Sequence, residues 1–103
     1  MDGESFVQLV KEEARDFSID WSEGNQSGVS SDTQTWLSNL SASEQLFVRE
    51  IVTEAIDHSL FQLLEIMDGV HTKNQSPIEA SCCNEKISGE GMPQLHDLYA
   101  SKI

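Results

Sequence analysis

The chain contains carboxylate and imidazole side chains one helical turn apart, a spacing that could do chemistry. Glu54 and His58 have this spacing, and Glu50 lies one turn earlier. Together with His96 they suggest, as one alternative, a small metal-binding or hydrolase-like domain. Carboxylate-bridged metal sites in helical bundles, however, repeat a Glu-x-x-His motif on two helices. This chain has a single Glu-x-x-x-His, which is more typical of a hydrogen bond or ion pair along one helix.

The other reactive side chains form no complete motif. His96–Asp97 could belong to a metal-dependent phosphohydrolase, but such a site needs further ligands and the chain has only three histidines. Cys82 and Cys83 are adjacent, unlike the spaced cysteines of structural zinc sites, and we expect them to be small apolar residues of a strand. The sequence therefore assigns no catalytic residue, no metal ligand and no cofactor, and it favours a non-catalytic protein.

One long helix, over residues 42–68, must position most of these side chains. Ser41 and Glu44 have the spacing of a capping box at its start. No Gly or Pro follows until Gly69, which can close the helix in the left-handed conformation. Apolar residues recur at gaps of three and four, the period of one helical face, at Val48, Val52, Ala55, Ile56, Leu60, Leu63, Met67 and Val70.

The two halves of this helix differ in pattern. The first half reads as amphipathic, with a solvated face that carries Glu50, Glu54 and Asp57. The second half, around Leu60–Met67, is apolar over roughly 220° of its circumference, counted at about 100° per residue. A helix of that kind is buried on several sides. We expect its cover to come from segments 5–18, 32–40 and 92–101, or from a second copy of the chain.

The remaining elements are short. The patterns predict a first helix over 5–18, a polar linker over 22–31, a helix over 32–40 with Asp32 as N-cap, a possible β-hairpin near 78–88 with its turn at Asn84–Glu85, and a last helix over 92–101 with Pro93 in its first turn. Trp21 and Trp36 are expected in the core. The predicted fold is mainly α: one domain, 1–103, of three to four helices around the long one.

The charge distribution narrows the possible partners. The net charge is −12; residues 1–70 contribute −11 and residues 71–103 contribute −1. A protein that grips nucleic-acid phosphates or an anionic membrane needs clustered Lys and Arg, so we expect neither nucleic acid nor membrane as a partner. No apolar run is long enough for a membrane span, and the first residues lack the pattern of a secretory signal. A cytoplasmic location is therefore expected.

A protein partner is the favoured functional hypothesis. Aromatic anchors bordered by carboxylates could face a basic protein or a second copy in a homodimer; the candidate contact residues are Phe47, Glu50, Glu54, Asp57, Phe61 and Glu65. An immunity or antitoxin role, or mimicry of a nucleic acid by an inhibitor of a basic protein, would be special cases. The plainer interpretation is that the acidic face only keeps the protein in solution. For Phe47 and Phe61, the alternative to a contact surface is cover by the first helix and the C-terminal segment.

Overall fold

The computed structural model describes residues 1–24 and 28–103, and in this part of the chain it is mainly helical, as predicted. Four helices and one two-stranded hairpin are present in the described residues. Helix α1 spans residues 3–22 in three consecutive segments: α-helical Gly3–Leu9, π-helical Val10–Asp16 and α-helical Phe17–Ser22. Helix α2 is Ser31–Ser38, α3 is Ala42–Asp68 and α4 is Leu95–Ala100. The polar linker predicted over 22–31 lies partly outside the described residues.

The predicted boundaries of the long helix α3 are confirmed. The Ser41 hydroxyl accepts from the Glu44 backbone N–H, and the Glu44 carboxylate accepts from the Ser41 N–H. Gly69 ends the helix with φ 74°, in the left-handed region. Asn74 supports this end because its side chain donates to the Ile66 carbonyl at 2.8 Å. Both ends of α3 are thus closed by local hydrogen bonds.

The short helices begin and end differently from their predicted limits. α1 continues past residue 18, and its π-helical segment rotates the residues that follow, so that Ile19 is buried while Phe17 is exposed. Ser30, not Asp32, caps α2, since its side chain accepts from the Thr33 N–H. α4 begins at Leu95, so Pro93 precedes the helix instead of lying in its first turn.

The predicted hairpin is present, with its turn one residue earlier than expected. Strand β1, Ala80–Cys82, pairs antiparallel with β2, Glu85–Ser88. Cys83 and Asn84 form the turn with φ 53° and 67°, and a two-residue turn of this kind requires positive φ at both positions. Asn tolerates that conformation better than Glu, which explains why Glu85 starts the strand instead. Cys83 is consequently exposed, and only Cys82 packs against the core.

The core lies at the C-terminal half of α3. Its fully or nearly buried residues come from four elements: Val7, Leu64, Ile87, Leu95 and Tyr99. α1 runs antiparallel to α3, since Arg15 pairs with Asp57 and Glu23 pairs with Arg49. Cover for the second half of α3 therefore comes from the start of α1, from β2 and from α4. The α2 segment lies at the other end of α3, where the Gln45 side chain donates to the Leu37 carbonyl.

The molecule is elongated along α3, with extents of 50 × 29 × 21 Å. None of its helices in the described residues combines the length and the apolar character that crossing a membrane would require.

Candidate interaction surface

The first half of α3 exposes three large apolar side chains. Leu46, Phe47 and Ile51 have 66%, 65% and 67% of their surface accessible to solvent. Phe47 and Ile51 are four residues apart, so they form a continuous row along one side of the helix, and the exposed Ala55 extends it by one more turn. Single exposed apolar residues are common on proteins, whereas adjacent large ones on one helix are unusual and make this face a candidate contact surface.

A row of carboxylates borders this apolar row. Glu50 and Glu54 are one turn apart, and at about 100° per residue they lie beside Phe47 and Ile51 on the same side of α3. Both are exposed, and within residues 1–24 and 28–103 neither takes part in an ion pair. The neighbouring cation, Arg49, is engaged by Glu23. The two carboxylates therefore remain free to meet a cation from outside.

We define the contact surface as Leu46, Phe47, Glu50, Ile51 and Glu54. Leu46 also borders a groove of about 700 Å³ between the end of α1, α2 and the start of α3. Leu37 and Val48 line the same groove. An apolar side chain of a bound molecule could thus enter the protein beside Leu46 while the rest of that molecule lies along α3.

The structure places Phe61, Asp57 and Glu65 away from this surface. Phe61 is half-buried, packs against the core and meets the His96 ring edge-on at 5.3 Å between centroids. It is thus covered, whereas Phe47 is not. Glu65 is also half-buried and follows Leu64 in the covered half of the helix. The predicted contact set is therefore divided between the two halves of α3.

Asp57 belongs to an internal network instead of the solvated face. Arg15 Nε donates to its Oδ1 at 2.6 Å and Nη2 donates to its Oδ2 at 3.2 Å, while the Tyr99 hydroxyl donates to Oδ1 at 2.6 Å. Burial alone would raise the pKa of Asp57, but the hydrogen bonds from Arg15 and Tyr99 outweigh it and the pKa is lowered. The carboxylate is ionised and held in place, which suits a structural role.

Asp68 forms the second internal network, which nothing in the sequence pattern indicated. It is buried, and its two carboxylate oxygens accept from the backbone N–H groups of Leu95 and His96, both at 2.9 Å. Its Oδ2 also lies 2.6 Å from Nδ1 of His96. Asp68, which belongs to α3, thus caps the N-terminus of α4. Gln94, the residue at the N-cap position of α4, makes no such side-chain hydrogen bond.

The residues of the metal-binding alternative have separate partners. His58 Nε2 lies 2.9 Å from the side-chain amide of Gln62, and His96 contacts Asp68 and Asp97. Glu54 is not hydrogen-bonded to His58 in the described structure. Across residues 1–24 and 28–103, no group of three or more His, Cys, Asp and Glu side chains is arranged to hold a metal.

Sequence reasoning missed Leu46 and Ile51 and misplaced the tryptophans. Both missed residues lie off the main apolar stripe, and that was the available signal: large apolar residues on the side that also carries Glu50. Trp21 and Trp36 were expected in the core but are 39% and 56% exposed. They lie near the end of α1 and in α2, outside the buried cluster at the far end of the molecule.

Comparison with known proteins identifies no relative: no protein-family model, no curated protein and no solved structure matches the chain.

Proposed function

We propose that the protein is a non-catalytic protein-binding module whose contact surface is the exposed first half of α3. The observation that carries this proposal is the row of Phe47 and Ile51, each about two-thirds exposed, beside two carboxylates that form no ion pair within residues 1–24 and 28–103. Solubility alone would account for the exposed carboxylates but not for the large apolar side chains exposed beside them. Aromatic anchors with a polar border are the usual composition of the energetically important centre of a protein interface.

The shape of the molecule supports the same role. The buried cluster is concentrated at one end of α3, and the other end is flanked by the end of α1 and by α2, which leave the side with Phe47 and Ile51 exposed. Because Phe47 and Ile51 lie outside the buried cluster, a partner can contact them without disturbing it. The contact surface has five residues, compared with about 20–30 on each side of a stable interface, so the interaction we propose is a transient one.

We propose the cytoplasm as the site of this interaction. Cys82 and Cys83 are both free, as expected for thiols in a reducing compartment.

The test is a comparative pull-down from native cell extract followed by quantitative mass spectrometry. The bait is the full chain, alongside a Phe47→Ser/Ile51→Ser variant. The control is Leu9→Ser/Leu63→Ser, which likewise replaces two exposed, large apolar side chains by serine, outside the contact surface. We expect at least one protein to be recovered by the wild type and the control and reduced at least tenfold with the variant.

Sedimentation velocity of the same three proteins covers the case in which the partner is a second copy. A concentration-dependent dimer that forms in the wild type and the control, but not in Phe47→Ser/Ile51→Ser, would also support the contact surface. Equal recovery of every protein by all three baits, together with the same sedimentation behaviour, would overturn the proposed function.

A further inference from the structure

We infer that the occupant of the contact surface is a basic amphipathic helix from another protein, and not a second copy of this chain. This inference rests on the proposed function of the same surface and adds the chemistry of the partner. It follows from the spacing of the apolar row, from the position of the carboxylates beside it and from the state of the cations in the described residues.

The apolar row has the geometry of a helix-packing ridge. Phe47, Ile51 and Ala55 are spaced four residues apart, and ridges of this spacing pack into the grooves between the corresponding side chains of a second helix. From Phe47 to Ala55 the row covers about 12 Å at about 1.5 Å per residue. A partner helix of two to three turns is long enough to cover it and to place one apolar side chain in the groove beside Leu46.

The carboxylates give the partner its charge and its orientation. Glu50 and Glu54 lie along one side of the apolar row, so a partner helix with Lys or Arg along one edge of its apolar stripe can pair with both. The opposite side of the row carries no comparable pair of exposed carboxylates on the same two turns, because Val48 and Val52 lie there. The match is therefore one-sided and selects the direction in which the partner helix lies.

A second copy does not supply those cations. The chain has six Lys and Arg residues against eighteen Asp and Glu. In the described structure five of the six already contact carboxylates of the same chain: Lys11, Arg15, Arg49, Lys86 and Lys102. Self-association through α3 would bring two molecules of charge −12 together, with Glu50 and Glu54 from both copies near one interface. Repulsion between like charges opposes that arrangement.

The test uses a defined probe. A synthetic 18-residue amphipathic peptide of Leu and Lys, with the leucines on one helical face, is titrated into the full-length protein at low and at physiological salt. Two comparison peptides have the same composition in scrambled order and the same leucine face with Glu in place of Lys. Binding is measured by fluorescence anisotropy of a label on the peptide.

Charge variants separate local recognition from general attraction to an acidic protein. Glu50→Lys/Glu54→Lys changes the net charge from −12 by +4 to −8, and so does the control Glu13→Lys/Glu90→Lys, whose carboxylates are exposed and lie elsewhere. We expect the Leu/Lys peptide to bind the first variant at least tenfold more weakly than the control. We also expect the scrambled and the Leu/Glu peptides to bind the wild type at least tenfold more weakly than the Leu/Lys peptide.

Each outcome addresses a different claim. Equal affinity of the two charge variants for the Leu/Lys peptide would overturn the inferred basic partner. So would a dimer that is abolished by Phe47→Ser/Ile51→Ser, although that result would leave the proposed binding function standing. If those serine substitutions change neither the recovered proteins nor the sedimentation, the proposed function and the inferred partner fail together.

Discussion

The two halves of helix α3 place the same kinds of residue in opposite environments. Leu46 and Leu64 are 18 residues apart, which is five full turns, so both lie on the same side of the helix. Leu64 is completely buried, while Leu46 is 66% exposed. Glu50 and Asp68 are also 18 residues apart and lie on the same side of the helix. Asp68 is buried and accepts three hydrogen bonds from α4, while Glu50 is exposed and unpaired in the described structure.

This difference shows that the apolar pattern of a helix does not itself determine burial. Both halves carry apolar residues on the core-facing side, but α4, β2 and the start of α1 all pack at one end. The chain has no further element that covers Leu46, Phe47 and Ile51 in the described structure. One half of α3 therefore contributes to the buried core, and the other half carries the contact surface that we propose.

The strongest test of the difference between the two halves of α3 is the same substitution at Leu64 and at Leu46. Leu64→Ala removes fully buried methyl groups and should lower the free energy of unfolding by about 2–5 kcal/mol. Leu46→Ala, on the same side of the helix, should change it by less than about 0.5 kcal/mol. Urea unfolding followed by tryptophan fluorescence and circular dichroism measures both. Similar losses for the two variants would mean that the first half of α3 is also packed.

Asp68 and Glu50 test the same difference between the two halves of α3 for polar side chains. Asp68→Ala leaves two backbone N–H groups of α4 and the His96 ring without their acceptor, and should cost about 2–3 kcal/mol of unfolding free energy. Asp68→Asn keeps one acceptor oxygen and should cost less. Glu50→Ala, five turns away, should be neutral within about 0.5 kcal/mol. A neutral Asp68→Ala would show that α4 does not depend on this cap.

The ends of α3 and the existence of a difference between its two halves could be predicted from the sequence, because both depend on residues close together in the chain. Ser41, Glu44 and Gly69 set the ends of α3 through hydrogen bonds and a backbone conformation within a few residues. The amphipathic pattern of the first half and the almost fully apolar pattern of the second half also indicated that the two halves have different surroundings. The second half was expected to need cover on most sides, from segments 5–18, 32–40 and 92–101 or from a second copy of the chain. The largest apolar exposure on α3 is instead in the first half.

The remaining features depend on contacts between distant residues, which periodicity does not reveal. Asp57 lies between solvated acids in the sequence, and only the approach of α1 and α4 brings it to Arg15 and Tyr99, 42 residues away in each direction. Asp68 similarly finds its partners 27 and 28 residues later. The exposed state of Leu46 and Ile51 follows from where other elements stop, and the sequence indicates it only by their position off the main apolar stripe, on the side that carries Glu50.

The position at which the covered half begins can be tested through the one tyrosine of the chain. Tyr99 is buried and donates to Asp57, which lies one turn after the exposed Glu54. Burial raises the pKa of Tyr99 above its ordinary value of 10.0, and the hydrogen bond to the Asp57 carboxylate raises it further. Because the pKa is raised in the folded state, the stabilisation from this pair is complete below pH 10.0 and is lost as the pH rises toward the folded pKa.

Ultraviolet absorbance of tyrosinate reports this ionisation without interference from another tyrosine. We expect the folded wild type to ionise at higher pH than the urea-unfolded chain, and Asp57→Asn to shift the folded midpoint down. Tyr99→Phe should make the free energy of unfolding fall less steeply above pH 10.0 than in the wild type. An equal midpoint in the folded and unfolded states would mean that Tyr99 is open to water, and the boundary between the covered and the exposed half of α3 would then lie nearer to Leu60. These effects are expected to be smaller than those at Leu64 and Asp68, because the Arg15–Asp57 ion pair remains in Tyr99→Phe and continues to join α1 to α3 at this level of the helix.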